Sequence, residues 1–198
     1  MNSKNLAKAI VRYMFLGHIL LFTCVMRGQG IAYEKNNTEK TCLLIVDVQR
    51  GFINESTKDI PKKVEKLQYN YDYVFITKFY NPSDSFFRKL VKWEEFDKNS
   101  KDVDIAFKPK LEAIILEKTV YTCVNEEFLD LLKSLNINTV YICGIDTDIC
   151  VTKSAVDLYE HNIIPIVLSS YCGSTAGKEA HRNALKTLER YIGKDQVR

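Results

Sequence analysis

Five short apolar runs recur along the chain after residue 40. They are rich in Ile, Val and Leu, and they occupy residues 42–48, 73–77, 113–116, 139–145 and 163–168. Continuous apolar runs of this length are typical of strands that are buried on both faces of a parallel sheet. The pattern therefore predicts a sheet built from at least these five strands.

Apolar residues at three- and four-residue spacing follow the later runs. Residues 126–135, 148–161 and 178–192 each carry one apolar face, which predicts three amphipathic helices. A turn at residues 81–84 leads into a short predicted helix over 85–92, and a long irregular connection over 93–110 could shape a binding site.

Strands that alternate with helices predict an α/β fold. We expect a three-layer α/β/α arrangement around a mostly parallel sheet of five to six strands.

Residues 1–40 differ from the rest of the chain. Lys4, Lys8 and Arg12 precede an apolar run over 13–26, which is shorter than the ~20 residues that span a bilayer. This run suits the hydrophobic region of a secretory signal, with residues 28–30 as a weak cleavage site, but a surface helix or an upstream extension remains open. We expect an appendage over 1–40 and a working domain over 41–198. A cytoplasmic protein is the first expectation, and export or membrane tethering through residues 1–30 is the alternative.

The charge distribution argues against nucleic acid as a partner. Of 28 basic and 25 acidic residues, six and two lie in residues 1–40, which leaves 22 and 23 in the predicted domain. A nucleic-acid-binding domain carries a basic face, and this balance shows none.

The cysteines show no disulfide or zinc pattern. They lie in apolar runs without a C-x-x-C pair, at Cys24, Cys42, Cys123, Cys143, Cys150 and Cys172. Most are therefore expected to be buried free thiols in a reducing compartment.

Three reactive side chains fall where predicted strands end. Asp47 closes the first apolar run, Lys118 follows the third almost directly, and Cys150 lies just beyond the fourth. Ligands of parallel α/β sheets bind at the carboxyl ends of the strands. Each residue alone has an ordinary explanation as a cap, a solvated lysine or a packed thiol, but the coincidence of all three indicates a catalytic site.

The position of Cys150 favours a reactive thiol. A thiol in the first turn of a helix faces unpaired N–H groups and the positive end of the helix dipole, with Asp146, Thr147 or Asp148 as capping residues. The same N–H groups could receive an oxyanion.

No histidine is expected at this edge of the sheet, because His18, His161 and His181 fall in the appendage, at a helix end and in the last helix. Lys118 would then stabilise the thiolate and Asp47 would transfer protons.

These motifs resemble the isochorismatase-like cysteine hydrolases, which include nicotinamidases and N-carbamoylsarcosine amidases. The resemblance covers nearly all of residues 41–198 and rests on LLIVDVQRGF, EKTVYT, CGIDTDICV, SAVDLYE and SSYCGS, in this order. It implies a catalytic triad of Asp47, Lys118 and Cys150. It also implies a cis peptide at Ile145–Asp146 and an oxyanion hole formed by the backbone N–H groups of Asp146 and Cys150.

The departures from the family pattern narrow the expected chemistry. Metal-binding nicotinamidases place an aspartate and two histidines after the second strand, whereas residues 77–86 contain no histidine here. We therefore expect no metal and no other cofactor. Phe52, Tyr80, Trp93 and Tyr121 are candidates for the pocket wall, although core packing would explain each of them equally well.

The resulting expectation is a metal-independent hydrolase that cleaves a small-molecule amide or related C–N bond through a thioester. Two alternatives are a vinyl ether hydrolase of the isochorismatase type and a non-catalytic binding or redox-sensing protein with an oxidisable Cys150. The resemblance also implies a homo-oligomer. A membrane partner is expected only if the amino-terminal segment is an anchor.

Overall fold

The computed structural model describes residues 40–198, and the predicted appendage lies outside them except for its last residue. Five strands form one parallel sheet in the order β3-β2-β1-β4-β5. The strands are β1 (Cys42–Val46), β2 (Tyr73–Phe79), β3 (Ile114–Lys118), β4 (Thr139–Ile145) and β5 (Ile164–Gly173). All five predicted strands are confirmed, and the α/β fold class with them.

The central strand forms the middle of the core. Every residue of β1 is buried, because the strand pairs with β2 on one side and β4 on the other. At the edge of the sheet, β3 alternates between partly buried and exposed residues before it ends at the buried Lys118. The decrease in burial from the central strand to the edge strand follows from the sheet order.

In the described part of the chain, four α-helices connect and follow the strands. They are α1 (Ile60–Leu67), α2 (Glu126–Ser134), α3 (Thr152–Glu160) and α4 (Lys178–Ile192). The strand order changes direction after β3. The right-handed rule for parallel crossovers therefore places α1 on one face of the sheet and α2 and α3 on the other.

Two of the predicted helices differ in form, and one helix was missed. The predicted helix over 148–161 begins as a π-helical turn, Thr147–Val151, and only then continues as α3. The predicted helix over 85–92 is mostly a π-helical turn, Phe87–Val91. Helix α1 was not predicted, although Ile60, Val64 and Leu67 bury one of its faces.

The cysteines of the described residues are buried free thiols, as expected. Within residues 40–198 no helix is long and apolar enough to cross a membrane.

Candidate active site

Asp47 lies at the carboxyl end of the central strand, where the sheet order reverses direction. Its backbone has a φ of 47°, and its side chain is fully buried. Thr77 of the neighbouring strand β2 forms two hydrogen bonds with Asp47. The Asp47 backbone N–H donates to Thr77 Oγ1 at 2.9 Å, and that hydroxyl donates to Asp47 Oδ1 at 2.6 Å. The left-handed backbone is tolerated by aspartate more readily than by bulky residues, and here it occurs where the carboxylate enters the site.

Gly144 permits β4 to pass close to the end of β1. Its φ is 122°, and a Cβ at this position would lie 2.1 Å from the carbonyl oxygen of Val46. A side chain cannot be accommodated there. This close approach joins the two chain segments that lead to reactive residues, because Val46 directly precedes Asp47 and Gly144 lies six residues before Cys150.

Lys118 is a fixed, charged group. Its Nζ lies 2.6 Å from Asp47 Oδ2 and donates to the carbonyl oxygens of Val120 and Tyr121 at 3.0 and 3.1 Å. Burial acts to lower the pKa of Lys118, but the interactions with the Asp47 carboxylate and the Cys150 sulfur outweigh it, so the net shift is upward. An ammonium has three donors, and the third hydrogen bond of Lys118 goes to Cys150 Sγ at 3.7 Å. Lys118 therefore acts on Cys150 both as a positive charge and as a hydrogen-bond donor.

Cys150 completes the cluster from the π-helical turn after β4. Its Sγ lies 3.7 Å from Lys118 Nζ, and the residue is 9% exposed. Burial, followed by the Asp47 carboxylate, raises the pKa of Cys150 well above its ordinary value, and Lys118 opposes this shift without cancelling it. The structure thus does not support the predicted resting thiolate. Asp47 neutralises the charge that would otherwise stabilise it.

Asp146 is bound to the next loop and does not cap the helix with its side chain. Its carboxylate accepts the backbone N–H and the hydroxyl of Thr175, the latter at 2.8 Å, and no side-chain cap bond forms. Burial raises the pKa of Asp146 to about 6, although the bonds from Thr175 lower it. The Ile145–Asp146 peptide is cis, as the resemblance implies.

His181 lies nearer to the site than the sequence suggested. Its Nδ1 is 2.8 Å from the hydroxyl of Thr147, which starts the helical segment that carries Cys150. Burial lowers the pKa of His181. The expectation that no histidine reaches this edge was therefore wrong for His181, although His181 is not among the residues that line the cavity described next.

A cavity of about 470 Å³ opens onto Cys150. Of the four predicted wall residues, Phe52, Trp93 and Tyr121 line it, whereas Tyr80 does not. The Tyr80 ring instead lies 4.6 Å from Lys98 Nζ. The pocket prediction was therefore wrong for Tyr80.

Sequence reasoning missed three further rings of the wall. Phe79, Phe87 and Phe96 line the cavity together with the predicted aromatic residues. Phe79 stacks on Trp93, with ring centroids 5.6 Å apart and planes inclined by 9°. Clustered aromatic residues around 79–96 were the available signal.

Two buried amides hold the loops that carry this wall. The Gln49 side chain donates to the carbonyl oxygens of Phe79 and Val103 and accepts the Phe79 N–H at 2.8 Å. Asn81 donates to the carbonyl oxygens of Trp93 and Glu95. The pocket loops are thus bound to the ends of the same strands that carry the reactive groups.

The loop after β2 does not fit a metal ion. The Asn81 amide is occupied by Trp93, Glu95 and the hydroxyl of Ser85, and no histidine lies in residues 77–86. Within residues 40–198 no group of three or more His, Cys, Asp or Glu side chains could hold a metal.

Comparison with solved structures places this fold in a known class of α/β proteins. A pyrazinamidase/nicotinamidase from Streptococcus mutans is similar with a TM-score of 0.70 at 20% identity, over 80% of this chain and 99% of that one. An N-carbamoylsarcosine amidase from Thermoplasma acidophilum gives 0.66 at 22%, over 78% and 93%. A pyrazinamidase of Pyrococcus horikoshii in complex with zinc gives 0.67 at 19%, over 80% and 97%. The fold is that of the isochorismatase-like hydrolases.

The sequence itself gives the family. Residues 41–194 match the model of the isochorismatase domain, and the chain therefore belongs to the isochorismatase family of hydrolases. The predicted resemblance is confirmed. The comparison with curated proteins gives no significant match.

Proposed function

We propose that the protein is a cysteine hydrolase that cleaves a small-molecule amide or related C–N bond through a thioester. The observation that carries the proposal is the contact of one buried ion pair, Asp47–Lys118, with the thiol of Cys150 at the end of a cavity. The solved structures that are similar to this chain include nicotinamidases and an N-carbamoylsarcosine amidase, and this likeness supports the proposed reaction class.

The first step combines proton transfer with attack. Cys150 rests as a thiol, and Asp47 accepts its proton as the sulfur attacks the carbonyl carbon of the amide. The thiolate that forms is balanced by Lys118, whose Nζ donates a hydrogen bond to the sulfur at 3.7 Å.

The carbonyl oxygen becomes an oxyanion in this step. The backbone N–H groups of Asp146 and Cys150 would bind it, and one such donor is commonly worth about 3 kcal/mol of the barrier.

The second half of the reaction restores the enzyme. The C–N bond breaks, and the departing nitrogen takes the proton from Asp47, which leaves a thioester on Cys150. Asp47 then deprotonates a water molecule that attacks the thioester carbon. The products are a carboxylic acid and the amine or ammonia, and the sulfur regains its proton. No step passes through a metal, because the loop after β2 does not fit one.

A screen of small amides for ammonia release tests the proposal. Wild-type protein should release ammonia, the Cys150→Ala variant should not, and Cys42→Ala should retain the activity. Cys42 is a matched control because it is also a buried cysteine, but it begins β1 and so lies at the opposite end of the sheet. Release of ammonia that survives Cys150→Ala would refute the proposed nucleophile, and cleavage restricted to vinyl ethers would favour the alternative reaction.

A further inference from the structure

The cavity next to Cys150 combines aromatic walls with negative charge. Its aromatic residues are Phe52, Phe79, Phe87, Trp93, Phe96 and Tyr121. Neighbouring rings are close to one another, as the centroid distances of 4.1 Å for Phe52–Phe96 and 5.2 Å for Trp93–Phe96 show. These rings pack on one another and together line one small volume. Ring faces carry negative electrostatic potential and attract cations.

Two carboxylates stand on the same wall. Glu95 and Asp102 line the cavity, and among its described lining residues none is Lys, Arg or His. Asp102 flanks the ring of Phe96, since a methyl group placed on Gly51 would lie 2.5 Å from Phe96 Cζ and 2.8 Å from Asp102 Cβ. The absence of a side chain at Gly51 brings the ring and the acid together.

Neither acid has a cationic partner within residues 40–198. Glu95 Oε2 accepts the Glu94 backbone N–H at 3.2 Å, and Asp102 Oδ2 accepts the Ser100 hydroxyl at 3.2 Å. Three basic side chains of the surrounding segments pair with other acids: Arg50 with Asp104, Arg88 with Asp97, and Lys98 with Glu117. Lys89, Lys92 and Lys101 form no ion pair with an acid among the described residues, but they do not line the cavity.

The catalytic lysine does not cancel this negative charge. Lys118 lies 5.2 Å from the centroid of Phe79, so it engages the end of the wall that adjoins the triad. Its charge is offset by Asp47 at 2.6 Å, and burial raises the pKa of Cys150 well above its ordinary value, which favours the uncharged thiol. Asp146 adds a third carboxylate to the lining. The cavity as a whole therefore has a negative charge that a positively charged ligand would balance.

We propose that the amide cleaved at Cys150 carries a cationic group of the alkylammonium class, bound by the rings of Phe52, Trp93 and Phe96 and by the carboxylates of Glu95 and Asp102. The inference rests on the proposed amide hydrolysis and adds the substrate class. A cation held against ring faces in a partly desolvated site is stabilised more than its neutral isostere, because the isostere loses both the ring and the carboxylate attraction.

A matched pair of substrates tests the charge alone. Butanamide that carries a terminal trimethylammonium group is compared with its tert-butyl isostere, which has the same shape and no charge. We expect kcat/KM to be at least about tenfold higher for the cation, which corresponds to ~1.4 kcal/mol. Added salt should reduce the ratio. A ratio of one or less in both turnover and binding would overturn the inference and leave amide hydrolysis intact.

Variants of the two acids locate the effect. The double change Glu95→Gln and Asp102→Asn should lower the cation-to-neutral ratio toward one. Glu94→Gln removes an exposed acid next in sequence that does not line the cavity, and it should leave the ratio unchanged. If Glu94→Gln lowered the ratio as much as the double change, the effect would come from overall charge, which would overturn the inference.

Binding can be followed without catalysis, because Trp93 is the chain's one tryptophan and lines the cavity. In the Cys150→Ala variant, the trimethylammonium amide should change the Trp93 fluorescence at concentrations at least about tenfold lower than the tert-butyl amide. Selective binding without hydrolysis by the wild type would support the cation site and refute the proposed reaction. Equal responses to both probes would refute the cation site.

Discussion

Removal of the Asp47 carboxylate should separate the reactivity of the thiol from catalysis. In the resting site Asp47 neutralises Lys118 and raises the pKa of Cys150 by its own negative charge. The variant Asp47→Asn keeps the size of the side chain and removes both effects. Lys118 would then have Cys150 as its nearest source of negative charge. We expect a sulfur that alkylates faster and an enzyme that no longer hydrolyses amides, because the proton acceptor is gone.

The distance between the two groups sets the magnitude. A unit charge 3.7 Å from the sulfur attracts the thiolate by about 4 kcal/mol if the effective dielectric constant is about 20. Lys118 exerts this attraction in the wild type too, where Asp47 opposes it, so removal of the Asp47 charge raises the thiolate fraction by at most about a thousandfold. The unpaired lysine loses part of its own charge on burial, which reduces the effect. An increase of at least about tenfold in the alkylation rate of Cys150 at pH 7 remains the expected result.

The assay is iodoacetamide labelling of the Cys150 peptide, followed by mass spectrometry on folded protein. Breaking a buried ion pair costs about 3–5 kcal/mol of stability, so a thermal melt must first show that Asp47→Asn is folded at the assay temperature. Asp157→Asn is the matched control, because Asp157 is also buried and pairs with a lysine, Lys153, at another place. It should leave labelling unchanged. Slower labelling of Asp47→Asn than of the wild type would refute this account of the resting thiol.

Three further outcomes follow from the site. Thr77→Val removes the hydroxyl that holds Asp47 and leaves the buried N–H of Asp47 unpaired. We expect kcat/KM for amide hydrolysis to fall by about 10–100-fold and the free energy of unfolding to fall by about 1–3 kcal/mol. The control Thr139→Val, at the start of β4, should change neither, and activity of Thr77→Val within twofold of the wild type would contradict this expectation. Gly144→Ala should destabilise the fold by more than about 3 kcal/mol in chemical denaturation, because its Cβ would meet Val46 at 2.1 Å, and an unchanged midpoint would be inconsistent with the close approach. Burial raises the pKa of Asp146 to about 6 from 3.8, so its protonated form stabilises the fold below pH 3.8 and this contribution is lost as the pH rises through 6. The stability of Asp146→Asn relative to the wild type should therefore increase by up to about 3 kcal/mol between pH 4 and pH 7, and a difference that does not vary with pH would argue against it.

The sheet could be predicted from the sequence because its signals are local. The bounds of β4 that were predicted from its continuous apolar residues are the observed ones. The same holds for α4, which was predicted from apolar residues at three- to four-residue spacing. Helix α1 was missed because its eight residues contain three buried apolar positions among proline, lysine and glutamate. A short helix of this kind depends on the surface against which it packs.

The three reactive residues could be predicted because Asp47 and Lys118 stand at strand ends and Cys150 lies in the helical turn that follows a strand. Their supporting residues could not, since Thr77 and Gln49 act through the register of β1 on β2, which the sequence does not encode locally. The pocket shows the same limit. Adjacent residues of a strand point to opposite faces, and a difference of one position placed Phe79 in the wall where Tyr80 was expected.

The partners of the nucleophile are supplied by neighbouring strands of one hydrogen-bonded ladder. Asp47 directly follows β1, and Thr77 and Lys118 lie on the next two strands, so their mutual positions persist as long as the sheet does. Half of the aromatic wall, in contrast, comes from residues 80–102, which supply Phe87, Trp93 and Phe96, and we expect this segment to open in a sub-global unfolding event. In mild denaturant the protein should thus lose its discrimination between ligands before it loses its nucleophile. Amide hydrogen exchange would register these as two separate cooperative units.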